Sequence, residues 1–220
     1  MPEEQNALIP VSTNVETAMD VAAVIASIIP WIGGPVGQVL SGASFGRKLG
    51  RIREVLEGVA HGLEALSSQV SEEYVKTEDF EELLGKTLKQ VAEERTEEKR
   101  QVYRRFLTEA IASPGEPYDE QVRFLRIMEE IQADHVKILW ALSQPPNSNP
   151  GMMGSPGQTL AERLPDITRD RINELVMQMN DIRITNMTSM SVMMTGHGAQ
   201  DLRSSITPVG QRFMMYLKQA

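Results

Sequence analysis

Residues 46–70, GRKLGRIREVLEGVAHGLEALSSQV, carry the clearest periodicity in the chain. Leu49, Ile52, Leu56, Val59, Leu63, Leu66 and Val70 recur at alternating intervals of three and four. On a helix of 3.6 residues per turn this lines apolar side chains along one seam, suited to a neighbour packed at a shallow angle. The pattern predicts one long helix from Pro35 to about Val70, and with it a helical array as the architecture. Gly42, Gly46, Gly50, Gly58 and Gly62 fall on a shared four-residue grid, interrupted only by Glu54. Each glycine costs a helix interior about 1 kcal/mol relative to alanine. The grid therefore asks for a compensating contact, either close approach of a neighbouring helix over small residues or a helix kept weak so that it can rearrange.

Immediately upstream, Val21–Gly46, VAAVIASIIPWIGGPVGQVLSGASFG, runs without a charge between Asp20 and Arg47. A straight helix of that length would reach about 39 Å, enough for the roughly 30 Å hydrocarbon layer of a bilayer. Pro30 and the Gly33-Gly34-Pro35 cluster interrupt it, since proline lacks an N–H and clashes with the preceding turn. The expected form is a hairpin. A first helix opens at the capping box Thr13–Glu16 and ends near Ile29, and a second starts with Pro35 at its first position. Each arm is too short to span a bilayer. Such a hairpin either fills the heart of a bundle or lies on a membrane or partner through Ile28, Ile29, Trp31, Ile32, Val36, Val39 and Leu40. Arg47, Lys48, Arg51 and Arg53 follow directly. Beside a membrane they would face anionic headgroups at about 1 kcal/mol per cation; on a bundle they are a solvated face.

Charge and composition narrow the function classes. The 220 residues carry a formal net charge of −8. Residues 1–144 hold 15 Lys+Arg against 24 Asp+Glu, a net −9, and residues 145–220 hold 7 against 6, a net +1. An acidic body disfavours sequence-independent nucleic-acid binding, which needs a basic face to release counterions. Cysteine is absent, which removes disulfides, thiolate nucleophiles and cysteine metal ligands. The opening MPEEQNALIP lacks the basic region of a signal peptide, so the expected location is cytoplasmic, peripheral at most to an inner membrane.

Downstream, Thr77 caps a helix with Phe80, Leu84, Leu88 and Val91 on one side, and Thr96 opens another with Tyr103, Phe106, Leu107, Ala110 and Ile111 facing inward. Ser113–Pro117 ends that helix, and a further one runs from Tyr118 to Ile131 through Val122, Leu125, Met128 and Glu129. Asp134 reads as the cap of a helix from His135 to Leu142, and PPNSNPGMMGSPG, 145–157, as a mobile loop. Helices at Leu160–Leu164 and Thr168–Met179 flank a turn at Pro165-Asp166-Ile167. Arg183–Met194 has β-compatible residues, Thr195-Gly196-His197-Gly198 reads as a tip, and Leu202–Ile206 as a second strand, after which Thr207-Pro208 restarts a helix. This order resembles a winged helix. The expected fold is mainly α, with a loose arm at 1–12, an antiparallel helical domain at 13–131, and a small winged-helix-like α+β unit at 132–220.

Four stretches carry a family resemblance. They are the apolar glycine-rich opening, EDFEELLGKTLKQVAEERTEEKRQVYRRFLTEAIAS, VRFLRIMEEIQADHVKILWAL and the closing SSITPVGQRFMMYL. Together, over roughly residues 20–220, they resemble the bacterial abortive-infection alpha proteins and their uncharacterised helical relatives. The resemblance implies a helical protein ending in a winged-helix-like unit, in the context of phage defence, and supplies no catalytic or binding residues.

Motifs for chemistry are lacking. His61, His135 and His197 have no zinc spacing, the glycines at 33, 34 and 37 lack the Lys-Ser/Thr of a phosphate loop, and no serine sits in a nucleophile elbow. No catalytic residue, metal or cofactor is expected. Ten of thirteen methionines lie after residue 150, as irregular core filler or as an adaptable binding surface. Two functions fit. One is a non-enzymatic intracellular defence-type effector whose hairpin meets a membrane or a protein partner, a second copy included. The other is a winged-helix DNA-binding regulator reading DNA through Thr168, Arg169, Arg171 and Asn173 with Arg203 near the wing, although Asp166, Asp170 and Glu174 beside those cations repel phosphate.

Overall fold

The computed structural model describes residues 45–65, 72–147 and 151–217. The expected arm, the hairpin, and seam positions Leu66 and Val70 lie outside them. Among the described residues ten α-helices account for most of the chain, with one two-stranded antiparallel sheet. The chain divides into two compact units, one ending at Arg95 and taking in Tyr103–Tyr118, the other made of Thr96–Val102 and Asp119–Gln219. This division follows a different line from a single boundary at 131/132. Among the described residues, no helix is long and apolar enough to cross a membrane.

In the first unit, α1 (Phe45–Ala65) packs along α3 (Glu78–Glu93). The seam buries Ile52, Leu56, Val59 and Leu63 as the spacing predicts, and Val55 with them. Leu49, at the first turn of the pattern, is 38% exposed and contributes little. Helix α3 answers with Phe80, Leu83, Leu84, Leu88 and Val91, all buried. It begins where expected, because the Thr77 hydroxyl accepts from the Phe80 N–H and satisfies one of the four bare N–H groups of the first turn. The short α2 (Glu72–Val75) precedes it and sets the Tyr74 ring edge-on to Phe80, centroids 5.3 Å apart. Tyr103, Phe106, Leu107, Ala110 and Ile111 of α4 (Glu97–Ala112) are buried.

The glycine grid divides in the same unit. A β-carbon at Gly58 would collide with the Arg104 side chain, and one at Gly62 would lie 3.1 Å from the Thr108 methyl carbon. Arg104 and Thr108, four apart on α4, thus occupy the groove these two glycines leave. Gly46 and Gly50 face open space, so close packing does not account for them.

In the second unit, α5 (Tyr118–Glu130) buries Phe124, Leu125, Ile127 and Met128; Val122 is half-buried, and Glu129 is exposed rather than inward-facing. Phe124 meets Phe213 and Tyr216 at 5.8 and 5.2 Å between centroids, at α10 (Pro208–Met215) and its C-terminal residue. Helices α6 (Ala133–Ser143), α7 (Pro156–Arg163) and α8 (Arg169–Asp181) pack on one another. Gln132 rather than Asp134 stands at the N-cap of α6, while Asp134 pairs with Lys137 at 2.7 Å. Arg163 closes the far end of α6: its guanidinium donates to the carbonyls of Ala141 at 2.6 Å, Pro145 at 3.2 Å and Gln200 at 2.9 Å.

Two expectations fail here. The loop expected at 145–157 holds strand β1 (Met153–Gly154) and the start of α7, because Ser155 caps that helix and Pro156 opens it with its fixed φ. No strand ladder joins 183–194 to 202–206: the expected pairing is reduced to one isolated antiparallel bridge, Thr185 to Ile206, with the Asn186 N–H donating to the Ser205 carbonyl at 2.9 Å. The two-stranded sheet is instead β1 with β2 (Met194–Thr195), Met153 opposite Thr195 and Gly154 opposite Met194. The expected tip is helix α9 (Gly196–Gln200), capped by the Thr195 hydroxyl on the Gly198 N–H, and Arg203–Ser205 is a 3-10 turn. Arg183, with φ of +62°, turns the chain out of α8 where a strand was expected to begin.

Alanine at Leu56 or Leu63 should cost about 2–5 kcal/mol through lost burial and a cavity, whereas Leu49→Ala should stay within about 0.5 kcal/mol of the parent. Urea-unfolding midpoints of the three variants test this, and equal midpoints would remove the seam as a core.

Candidate functional site

One end of the α1–α3 seam is strongly basic. Because the helices run antiparallel, the start of α1 meets the end of α3: Lys48 Nζ pairs with the Glu93 carboxylate, and Arg51 Nη1 donates to the Ala92 carbonyl at 2.8 Å. Ala92 carries one of the last four carbonyls of α3, where the helix dipole favours a cation. Arg47, Lys48, Arg51, Glu93 and Arg95 line a cleft of about 470 Å³. Among the described residues, four cations against one carboxylate make this a positive site on a chain of net charge −8. The Glu93 carboxyl is held below its ordinary value, first by the hydrogen bond from Lys48 and then by the charges of Lys48, Arg51 and Arg95.

Of the four cations in Arg47–Arg53, three line the cleft and they are held differently. Lys48 and Arg51 tie α1 to α3, and Arg47 and Arg53 are exposed. Arg53 lies outside the lining of the cleft, and Arg95, which no pattern in the sequence singled out, lies within it. Arg95 reaches the cleft because the antiparallel pairing of α1 with α3 continues two residues past the end of α3. Ile28, Ile29, Trp31, Ile32, Val36, Val39 and Leu40 lie outside the described residues.

The nucleic-acid candidates are mostly engaged within their own unit. The Thr168 hydroxyl caps α8 by accepting from the Arg171 N–H. The Arg171 guanidinium donates to Glu174 at 2.8 Å and to the Gln132 side-chain oxygen at 2.6 Å. Asn173 is half-buried, with its side-chain oxygen shielded from solvent. Arg203 grips Asp201 through Nε and Nη2 at 2.7 and 2.8 Å, which pulls the Asp201 carboxyl down to about 2. Arg169 is exposed. The structure does not bring these five side chains together as one outward-facing set.

His135 is the buried histidine of the second unit. Its Nδ1 accepts from the Gln132 N–H at 2.8 Å, so Nε2 carries the proton and donates to Gln178 Oε1 at 3.0 Å. Gln178 in turn donates to Glu174 at 3.2 Å. Burial lowers the imidazole below its ordinary value. His61 and His197 are exposed. Among the described residues no three acidic or histidine side chains are placed to hold a metal ion. Among the methionines, Met179, Met187 and Met214 are buried, as core filler is, while Met152, Met153, Met177, Met193 and Met215 are exposed.

No known protein family, curated protein or solved structure matches the chain.

The His135 geometry fixes a pH dependence. A folded-state value below the ordinary 6.5 means that the unfolded chain binds the proton more readily. The stability from neutral His135 is present above pH 6.5 and is lost as the pH falls from there through the lower folded value. Urea midpoints measured from pH 7.5 down to 5.5 should fall in the parent and fall less in His135→Gln; parallel profiles would show that the ring does not titrate in this window.

Proposed function

We propose that the protein is a non-enzymatic effector of the abortive-infection type, cytoplasmic and peripheral to the inner membrane, which attaches to an anionic membrane surface through the basic end of α1. The observation that carries this reading is the cluster of Arg47, Lys48, Arg51 and Arg95 in one cleft, with the uncharged run Val21–Gly46 directly before it in sequence. A cationic cleft on a chain of net charge −8 concentrates attraction for anions at one place and leaves the remainder repelled by them. An apolar segment next to cations combines the two forces that hold proteins at a bilayer surface, burial of apolar area and headgroup attraction. The resemblance to abortive-infection alpha proteins supplies the context of phage defence. The second unit, which holds α7, a turn and α8 together with the β1–β2 ribbon that packs on α9, serves in this reading as a winged-helix-like module for protein interaction. The internal engagement of Thr168, Arg171 and Arg203 weighs against DNA binding there.

Vesicle flotation and duplex-DNA binding, measured side by side across a salt series, test the proposal. The parent should bind phosphatidylglycerol vesicles at low salt and release them as salt rises. Arg47→Gln with Arg53→Gln, both exposed positions, should weaken binding by about 2 kcal/mol, roughly thirtyfold, without moving the urea midpoint. Indifference to anionic vesicles at every salt concentration would refute membrane attachment. Duplex affinity that collapses on Arg169→Glu with Arg171→Glu would favour the regulator instead.

A further inference from the structure

We propose that the α1–α3 cleft is a discrete site for one phosphate group, held by Arg47, Lys48 and Arg95, with the Glu93 carboxylate as an internal competitor that phosphate displaces. This rests on the reading of the basic surface as anion-facing and gives it a ligand class, the dianionic phosphomonoester.

The argument starts from how the cations are held. Diffuse attachment to a charged surface needs only exposed Lys and Arg in rough proximity. Here the cations come from two separated segments, residues 47–51 of α1 and the residue two beyond the end of α3, and converge on a concave space of about 470 Å³. That volume exceeds what a single phosphate fills and leaves room for the group that bears it. Arg51 is fixed by its 2.8 Å bond to the Ala92 carbonyl, so its charge is anchored at the wall of the cleft and offsets the negative end of α3. Glu93 shows what the cleft accepts. Its carboxylate takes the Lys48 ammonium, and the Arg51 and Arg95 charges add to holding it ionised. A carboxylate is a monoanion with two oxygens, whereas a phosphomonoester presents up to two charges and three terminal oxygens, which suit several cationic donors at once. A phosphate entering the cleft therefore has the stronger claim on Lys48 and turns Glu93 out toward solvent, where the carboxylate, already more than half exposed, is readily hydrated. Guanidinium groups at Arg47 and Arg95 can meet phosphate oxygens in pairs, which a lysine at either place cannot do.

The phosphate could belong to a lipid headgroup or to a free compound, and the experiment separates these sources. The probes are inorganic phosphate, followed by calorimetry and amide chemical shifts, and vesicles of phosphatidylcholine containing either phosphatidic acid or phosphatidylglycerol at matched surface charge. Inorganic phosphate should bind saturably with one site per chain. Arg95→Gln and Arg47→Gln should each weaken it by about tenfold. Glu93→Gln should tighten it several-fold, and Lys89→Gln, an exposed cation of α3 outside the cleft, should leave it unchanged, all four variants keeping the parent's circular dichroism. Preference for phosphatidic acid over phosphatidylglycerol, competed by inorganic phosphate, identifies a lipid source. Saturable phosphate binding without that preference identifies a free compound, and phosphate binding without any vesicle binding upholds the cleft while refuting membrane attachment. The cleft proposal is overturned, with membrane attachment intact, if vesicles bind but inorganic phosphate does not saturate. It is equally overturned if Lys89→Gln weakens phosphate as much as Arg95→Gln does, or if Glu93→Gln fails to tighten it.

Discussion

The packing of α1 along α3 is the constraint from which the first unit follows. Ile52, Val55, Leu56, Val59 and Leu63 meet a facing row from Phe80 to Val91, and burial of such side chains is worth about 1.5–3 kcal/mol each. A seam of this kind fixes the register of the two helices, because displacing one along the other would set apolar ridges against polar positions. Register in turn decides which polar residues meet at the seam's end. Lys48 reaches Glu93 and Arg51 reaches the Ala92 carbonyl only at this alignment. The basic cleft is thus a by-product of apolar packing that the polar contacts then trim.

In the second unit a run of hydrogen bonds leads from one buried histidine out to the surface. His135, Gln132, Gln178, Glu174 and Arg171 form a run of hydrogen bonds from the start of α6 along α8. Asn180 accepts from the Thr185 hydroxyl and the Met187 N–H, and donates to the Met187 carbonyl, so the chain leaving α8 is held without a strand ladder. A buried imidazole left unpaired would cost more than its hydrogen bonds return, so Gln132 and Gln178 matter most where they meet the two ring nitrogens of His135.

Helix positions were legible wherever caps and periodicity agreed. Thr77 and the spacing from Phe80 to Val91 gave α3, and Ser113–Pro117 marked the end of α4. Val55 and Leu83 escaped because a strict three-four count takes one line of residues where the buried face is wider. Short elements were read poorly. The β-compatible run after Arg183 invited a hairpin, yet pairing depends on partners distant in sequence: Met194 pairs with Gly154, and of the expected pairing only the bridge from Thr185 to Ile206 forms. Thr195 did carry a readable signal, since a hydroxyl residue three before Gly198 is as good a helix cap as a turn start. At the candidate site the α1 cations were legible as a run, but their division was not: only tertiary packing shows that Lys48 and Arg51 are bound to α3 while Arg95 joins from beyond its end.

Arg163 has a consequence for the order in which the second unit assembles. Its guanidinium gathers carbonyls from Ala141 and Pro145 on one side and from Gln200, 37 residues downstream, on the other. The first two span 22 and 18 residues and form when α6 and α7 come together, whereas the third also waits until the segment bearing α9 has closed its loop, and each closure costs chain entropy before any contact compensates it. Arg163 is therefore a latch rather than a nucleus. Interactions made after the rate-limiting step of folding slow the reverse reaction more than they speed the forward one, so this single side chain bears chiefly on how long the unit, once folded, stays shut.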